Sequence, residues 1–213
     1  FLMLINYLCK NKSDIYHFFL PKTYIVCSFL TIFSKKKKIM SRRSLNFYHN
    51  KYWKVSLYIE KFLHNFVDSL VCNAFEIKKQ LIQDEGVDEK KIRLIKNFFI
   101  PLPKVKKKNI KRSKNKISFA YIANLIPYKG HIELINTCSK LKTKKNWTLY
   151  LAGSGSANYL KKLRNLVNEK KMGNRIIFLG LIKDIHLLYQ EMDFIINTSF
   201  EEGSSNTLLE ALS

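Results

Sequence analysis

Cysteine is sparse in this chain, with four residues at Cys9, Cys27, Cys72 and Cys138. None forms a C-x-x-C pair or stands at metal-ligand spacing from a histidine. That excludes a cysteine-built metal finger and leaves reduced, buried thiols as the expectation. Long hydrophobic runs are missing too. The apolar stretch Thr23–Phe33 (TYIVCSFLTIF) has eleven residues, short of the roughly 20 that span a bilayer. A buried helix is expected there; the other reading is a helix lying on a membrane surface, with Lys35–Lys38 beside lipid headgroups. No signal peptide is visible. The chain opens on Phe1 and stops at Ser213 inside a helical pattern, so a piece of a longer protein is expected. Acidic residues are few: 16 against 38 Lys and Arg, a formal net charge of +22. Such a surplus suits nucleic acid, anionic lipid or phosphorylated ligands. A compositional bias that places lysine wherever a solvated residue suffices accounts for it as well.

What is present is alternation. At 213 residues there is room for one large or two ordinary domains. Short apolar runs predict strands at Asp14–Leu20, Lys37–Ser41, Asp68–Ala74 and Lys91–Asn97. Helical spacing predicts helices at Thr23–Phe33, at Lys51–Val67 through Trp53, Leu57, Phe62 and Phe66, and at Phe75–Gly86, closed by Gly86. Ile100–Lys116 holds two prolines, many lysines and no apolar face, and reads as a basic linker. Beyond it, strands are expected at Ile117–Ala123, Trp147–Gly153, Arg175–Gly180 and Asp193–Ser199. Helices are expected at His131–Lys142, at Ala157–Gly173 with Gly173 as its end, at Ile185–Met192 and from Thr207 onward. The fold class is therefore α/β, two Rossmann-like domains with parallel sheets: residues 1–100, a linker at 101–116, and residues 117–213.

In an open parallel sheet, ligands collect outside the carboxyl ends of the strands. Three loops of the second half belong there: Asn124–Gly130, Gly153–Ser156 and Phe200–Asn206. Lys129 precedes a helix, where free N–H groups and the dipole favour an anion, so it is a candidate to neutralise a diphosphate. Gly153 and its neighbours allow close backbone approach to a ligand. For Glu210 two readings stand. It is a hydrogen-bond acceptor for ribose hydroxyls, or the last member of a capping box, Thr207-Leu208-Leu209-Glu210, turned back on its own helix.

The succession YIANLIPYKGHIELI, WTLYLAGSG, RIIFLG and MDFIINTSFEEGSSNTLLEAL resembles the nucleotide-sugar-binding domain of glycosyltransferase family 4, whose fold is two Rossmann-like domains of the GT-B type. The E-x7-E pattern of Glu202 and Glu210 is among its more specific marks. Upstream the likeness is weaker, in DIYHFFLP, DSLVCNAFEIKKQL and KIRLIKNFFI. The resemblance implies that Lys129 binds donor phosphate, Glu210 the ribose, and Glu202 with the amides of Gly203, Ser204, Ser205 and Asn206 the transferred sugar. It implies that Asn124, Gly153, Leu181 and Thr207 line the donor pocket, and that Lys129, Glu202 and Arg43 form the catalytic set. The implied activity is retaining transfer from a nucleoside-diphosphate sugar to a cell-envelope saccharide or lipid-linked acceptor. No cofactor beyond the nucleotide sugar and no strictly required metal are implied. A cytoplasmic protein follows, with peripheral contact to an anionic membrane and no nucleic-acid partner.

The departures from the family pattern are specific. Asn124 stands where many members carry an arginine. Arg42 and Arg43, with His49 further on, occupy the region where a histidine often follows a strand; Arg43 is either an anion contact or part of a surface basic pair. His17 is either a strand-end site residue or a packed core residue. The first domain lacks opening strands and a glycine-rich loop, and the second stops before its closing elements, so this piece alone is expected to be inactive. Two rivals stand beside the enzyme: a basic nucleic-acid-binding module and an inactive sugar-nucleotide-binding protein.

Overall fold

The computed structural model describes residues 2–10, 13–46, 54–98, 116–141 and 146–212. His49, Trp53 and nearly all of the basic linker lie outside the described residues. The chain divides into two compact units, Phe1–Asn97 with Glu202–Ser204, and Phe98–Glu201 with Ser205–Ser213.

The first unit runs α1 (Leu2–Lys10), β1 (Ile15–Phe19), α2 (Pro21–Leu30), β2 (Lys37–Arg42), α3 (Lys54–Leu63), β3 (Ser69–Cys72), α4 (Phe75–Gln83) and β4 (Ile92–Leu94). Helix α1 had no counterpart in the sequence reading. Its end meets the sheet where the Tyr16 hydroxyl donates to the Leu8 carbonyl at 3.0 Å. All four strands are parallel, in the order β1-β2-β3-β4. Register places Phe18 beside Met40, Met40 beside Leu70 and Leu70 beside Ile92. These residues form one buried face, closed by Tyr24, Leu63, Ile77 and Leu81 from the helices. The alternate residues of β1, among them Ile15, His17 and Phe19, are exposed. His17 is thus on the open face, bonded to the Ser41 hydroxyl at 2.7 Å, rather than packed in the core.

This core is laced with charge. Arg42, the last residue of β2, donates to Glu60 of α3 at 2.6 Å and to Glu85 just beyond α4. His64 contacts the other Glu85 oxygen at 2.8 Å through Nε2 and the Tyr24 hydroxyl at 2.9 Å through Nδ1. All five side chains are buried. Burial alone would raise the Glu85 carboxyl; the hydrogen bond from His64 and the charge and hydrogen bond of Arg42 outweigh it and hold the group at about 2. Helix α2 is half-buried instead of buried, with Tyr24, Cys27 and Ser28 inward and Val26 and Phe29 outward. Gly86 has φ of 71°, the left-handed turn expected after α4.

The second unit runs β5 (Ile117–Ile122), α5 (His131–Lys140), β6 (Trp147–Ala152), α6 (Ala157–Glu169), β7 (Ile176–Gly180), α7 (Ile185–Glu191), β8 (Phe194–Ile196) and α8 (Asn206–Ala211). Its parallel strands lie in the order β7-β6-β5-β8, so succession reverses between β5 and β8. Right-handed crossovers then place helices on both faces. One face packs Tyr121, Leu149 and Leu151 against Leu134, Ile135 and Leu163; the other packs Ala120, Ile122 and Tyr150 against Leu188. Every residue of β6 is buried, as a central parallel strand requires. Helix α6 ends at Glu169, before Gly173. The left-handed residue is Lys171, φ 55°, because the chain must turn there to sink Met172 into the core. Gly173 is not the terminator expected.

Candidate functional site

The reversal between β5 and β8 opens a crevice at the carboxyl ends of those two strands, the place where doubly wound sheets bind ligands. Two loops flank it, and polar bonds stitch them together. The Tyr121 hydroxyl, at the end of β5, donates to the Lys129 carbonyl at 2.5 Å and lies 3.1 Å from the Ser199 hydroxyl. Thr198 donates to the carbonyls of Lys129 and Gly130 at 3.1 and 3.3 Å. The Phe200 amide donates to the Tyr128 carbonyl at 2.9 Å. Gly130 is obligatory here: φ is 69°, and a Cβ would stand 2.2 Å from the Thr198 carbonyl oxygen. The backbone of Lys129 is therefore held on both sides, and its ammonium lies 5.2 Å from the Tyr128 ring centre.

The helix after the second loop is capped differently from the expectation. Ser205 accepts from the Leu208 amide as the cap of α8. Thr207 instead donates to the Ile122 carbonyl at 3.3 Å, pinning α8 to the end of β5. Glu210 accepts the Tyr189 hydroxyl of α7 at 2.8 Å. Thr207 is thus not the cap that a Thr207–Glu210 box requires, because Ser205 holds the helix start. Burial, then the bond and charge of Glu210, push the Tyr189 phenol well above its ordinary value and keep it a donor.

A second recess adjoins the Gly153–Gly155 loop. The Leu125 amide donates to the Ser154 carbonyl at 2.8 Å, and the Gly153 amide to the Gly180 carbonyl at 2.8 Å. A Cβ on Gly153 would lie 1.9 Å from the Ala123 carbonyl oxygen, so only glycine permits this packing. The cavity holds about 150 Å³ and is lined by Leu125, Gly153, Ser154, Gly155, Arg164 and Leu181, among others. Its walls are backbone and apolar carbon with one guanidinium, whose carbon is 5.9 Å from the Phe178 ring centre. A flat, weakly polar ligand suits such walls.

Lys129 thus stands on the loop after β5, Thr207 and Glu210 on α8, and Gly153 and Leu181 in the wall of the recess. Asn124 is exposed between them. Ser205 and Asn206 open α8; Glu202, Gly203 and Ser204 group with the first unit, as does Arg43, exposed just past β2. Sequence reasoning missed Tyr121, Thr198, Ser199 and Tyr189, which position the loops. Their apolar neighbours made them look like strand and helix interior. Arg164 was hidden among the lysines of α6.

Among the described residues one triad offers metal-ligand atoms close together, Glu60, His64 and Glu85. The Arg42 guanidinium already bonds both carboxylates there, so the donor set is that of an ion network. In the second unit His131 is buried against Tyr121, with ring centres 4.8 Å apart. Burial pushes its pKa down to about 4, helped by the charge of Lys129 and opposed by the Ile126 backbone and Glu133.

Residues 116–213 match the family model described as glycosyl transferases group 1. An uncharacterized glycosyltransferase of Methanocaldococcus jannaschii is 24% identical over 170 residues, covering 76% of this chain and 41% of that relative. Among solved structures, Anabaena HepE in complex with UDP and glucose superposes with a TM-score of 0.81 at 18% identity, covering 99% of this chain and 59% of that one. Sucrose-phosphate synthase from Thermosynechococcus elongatus gives 0.79 at 15%, covering 98% of this chain and 56% of its own. The chain spans between two fifths and three fifths of the length of these relatives. Its two parallel-sheet halves have the Rossmann-like architecture of GT-B glycosyltransferases.

Proposed function

We propose that the protein to which this chain belongs is a family 4 glycosyltransferase that moves a sugar, with retention of configuration, from a nucleoside-diphosphate donor to a cell-envelope saccharide or lipid-linked acceptor. One observation supports the reading: at the strand reversal, the loop carrying Lys129 is tied to Tyr121 of β5, and α8, which carries Glu210, is tied to the end of β5 through Thr207. HepE, a neighbour in fold, binds UDP and glucose in its solved structure. In this chain Lys129 neutralises the leaving diphosphate. Glu210, oriented by Tyr189, accepts from the ribose hydroxyls, and the recess at Gly153 and Leu181 takes the base. Glu202 with the amides of Gly203–Asn206 holds the transferred sugar, Thr207 fixes the helix that presents Glu210, and Arg43 adds a cation on the acceptor side. Fixed cations and amides aimed at developing leaving-group charge are a sufficient source of catalysis, without a metal or further cofactor. Asn124 leaves the phosphate with one cation fewer than an arginine there would supply. The protein works at a cytoplasmic membrane face, in peripheral contact with anionic lipid.

The test is calorimetric titration of the full-length protein with UDP, GDP, ADP and an oligonucleotide, repeated with Glu210→Ala. Selective binding of one diphosphate, weakened at least about tenfold in the variant, supports the reading. Binding to the oligonucleotide alone, indifferent to Glu210, overturns it. Donor binding with no transfer or hydrolysis of any nucleotide sugar would identify a binding protein instead.

A further inference from the structure

We infer that the outward surface of α2 and α3 docks the first unit onto an anionic lipid bilayer. The inference rests on the membrane contact in the functional reading above and on none of the donor-site chemistry. Helix α3 shows apolar residues on its outward side as well as on its inward one. Its inward side carries Ser56, Glu60, the core residue Leu63 and, just past its end, His64, all buried. Its outward side carries Val55, Tyr58, Ile59 and Phe62, with exposures of 69, 71, 40 and 56%. Those four recur at the i, i+3, i+4, i+7 spacing of a single helical stripe, the face a surface helix ordinarily buries. The helix cannot simply roll over. Arg42 holds Glu60 at 2.6 Å, and rolling the apolar stripe inward would leave that buried guanidinium without this carboxylate.

Helix α2 continues the surface. Its outward residues are Val26 and Phe29, followed past its end by Phe33, which is 97% exposed. Stepwise right-handed crossovers in the order β1-β2-β3-β4 put α2 and α3 on the same side of the sheet. The 2.9 Å contact between Tyr24 and His64 ties them side by side. The sequence of these elements is basic, although Lys38 and Arg42 are buried and Lys37 is paired with Asp68. From Pro21 to Phe66 the chain carries ten lysines and arginines and a single carboxylate, Glu60, which is buried on Arg42. Lys22 and Lys35 are exposed on this stretch. Aromatic and aliphatic residues on an exposed helix face, rimmed by cations, fit the boundary between acyl chains and acidic headgroups. A nucleic acid would use the cations but leave Val55 and Ile59 without a partner.

The experiment is co-sedimentation of the full-length protein with vesicles of phosphatidylcholine alone and of phosphatidylcholine mixed with phosphatidylglycerol. Binding to the anionic vesicles should exceed binding to the neutral ones by at least about tenfold and weaken as salt is raised. The Phe29→Ser/Phe62→Ser variant should lose most of it, on the order of tenfold, while its circular dichroism and diphosphate titration stay unchanged. Phe33→Ser, at a fully exposed position, should weaken binding in the same direction and guards against misfolding of the double variant. Equal binding to both vesicle types, or anionic binding indifferent to these substitutions, overturns the inference. So does a dimer in lipid-free solution that Phe62→Ser dissociates, which would assign the stripe to a second copy. Competition of vesicle binding by an oligonucleotide that also ignores the phenylalanines would assign the surface to nucleic acid. Diphosphate binding is read separately, so failure here leaves the donor-site reading standing, and the reverse.

Discussion

The two units use the same alternation of parallel strand and helix and arrive at different interiors. In the first, strand succession never reverses, the described helices α2, α3 and α4 share one side, and the buried face holds an arginine, two glutamates and a histidine. In the second, succession reverses at β5 and β8, both faces are covered, and β6 is apolar and buried throughout. The direction in which the third crossover steps decides this. Stepping back past β5 covers the second face and opens the ligand crevice in one move; stepping onward does neither.

The largest difference between the two interiors is expected for Arg42→Ala. It leaves Glu60 and Glu85 as buried carboxylates without their cation and should remove about 3–5 kcal/mol from the first unit. Amide exchange should show that loss in β2, β3 and α4 and spare β5 and β6. Loss spread evenly over both units would deny them separate cores.

Acidification should separate the units next. Unfolded, His131 takes up a proton near its ordinary 6.5; native, it resists until about 4. Stability of the second unit is therefore lost as pH falls through that window, by about 3 kcal/mol in full. Glu85 is depressed from 4.5 to about 2, so its contribution to the first unit is complete above 4.5 and lost only as pH falls from there toward 2. Exchange measured between pH 7 and 4 should show β5 and α5 weakening first, and His131→Phe should flatten that dependence.

Gly130→Ala should cost the second unit about 1–3 kcal/mol, since φ of 69° and the Thr198 carbonyl both oppose a Cβ. Diphosphate affinity should fall with it, because Lys129 moves. The smallest effect belongs to Tyr189→Phe, which removes one hydrogen bond from Glu210. Affinity for a nucleoside diphosphate should drop roughly fivefold, about 1 kcal/mol, with global stability nearly unchanged.

Much of this architecture could be read from residues alone. Runs such as ISFAYIA and WTLYLAG are too apolar for a half-solvated strand, and the glycine and lysine after them marked the loops that the structure gathers. Chain order fixes which strand ends Lys129, Gly153, Thr207 and Glu210 follow, whereas the roles expected of them came from the family resemblance. Their supports were not legible. Tyr189 looks like a core residue of α7 until α8 is laid beside it, and the Ser205 cap competes with an equally good local pattern at Thr207. In the first unit the expected face of α3 ran through Trp53, Leu57, Phe62 and Phe66; Phe62 is instead exposed, in a stripe with Val55, Tyr58 and Ile59. The long-range bond from Glu60 to Arg42 and the packing of Leu63 into the core turn it outward, and no local window contains those partners.

Strand β1 has a further consequence, for handling rather than for binding. It pairs with β2 on one side, and among the described residues no strand pairs with its other side. Ile15 and Phe19 stand exposed on its open face. A row of peptide groups with apolar neighbours is a template for another extended segment. Protein concentration therefore becomes a variable in its own right when residues 1–213 are handled alone: at high concentration this piece should self-associate through the strand, and dilution or a charge introduced at Ile15 should keep it monomeric.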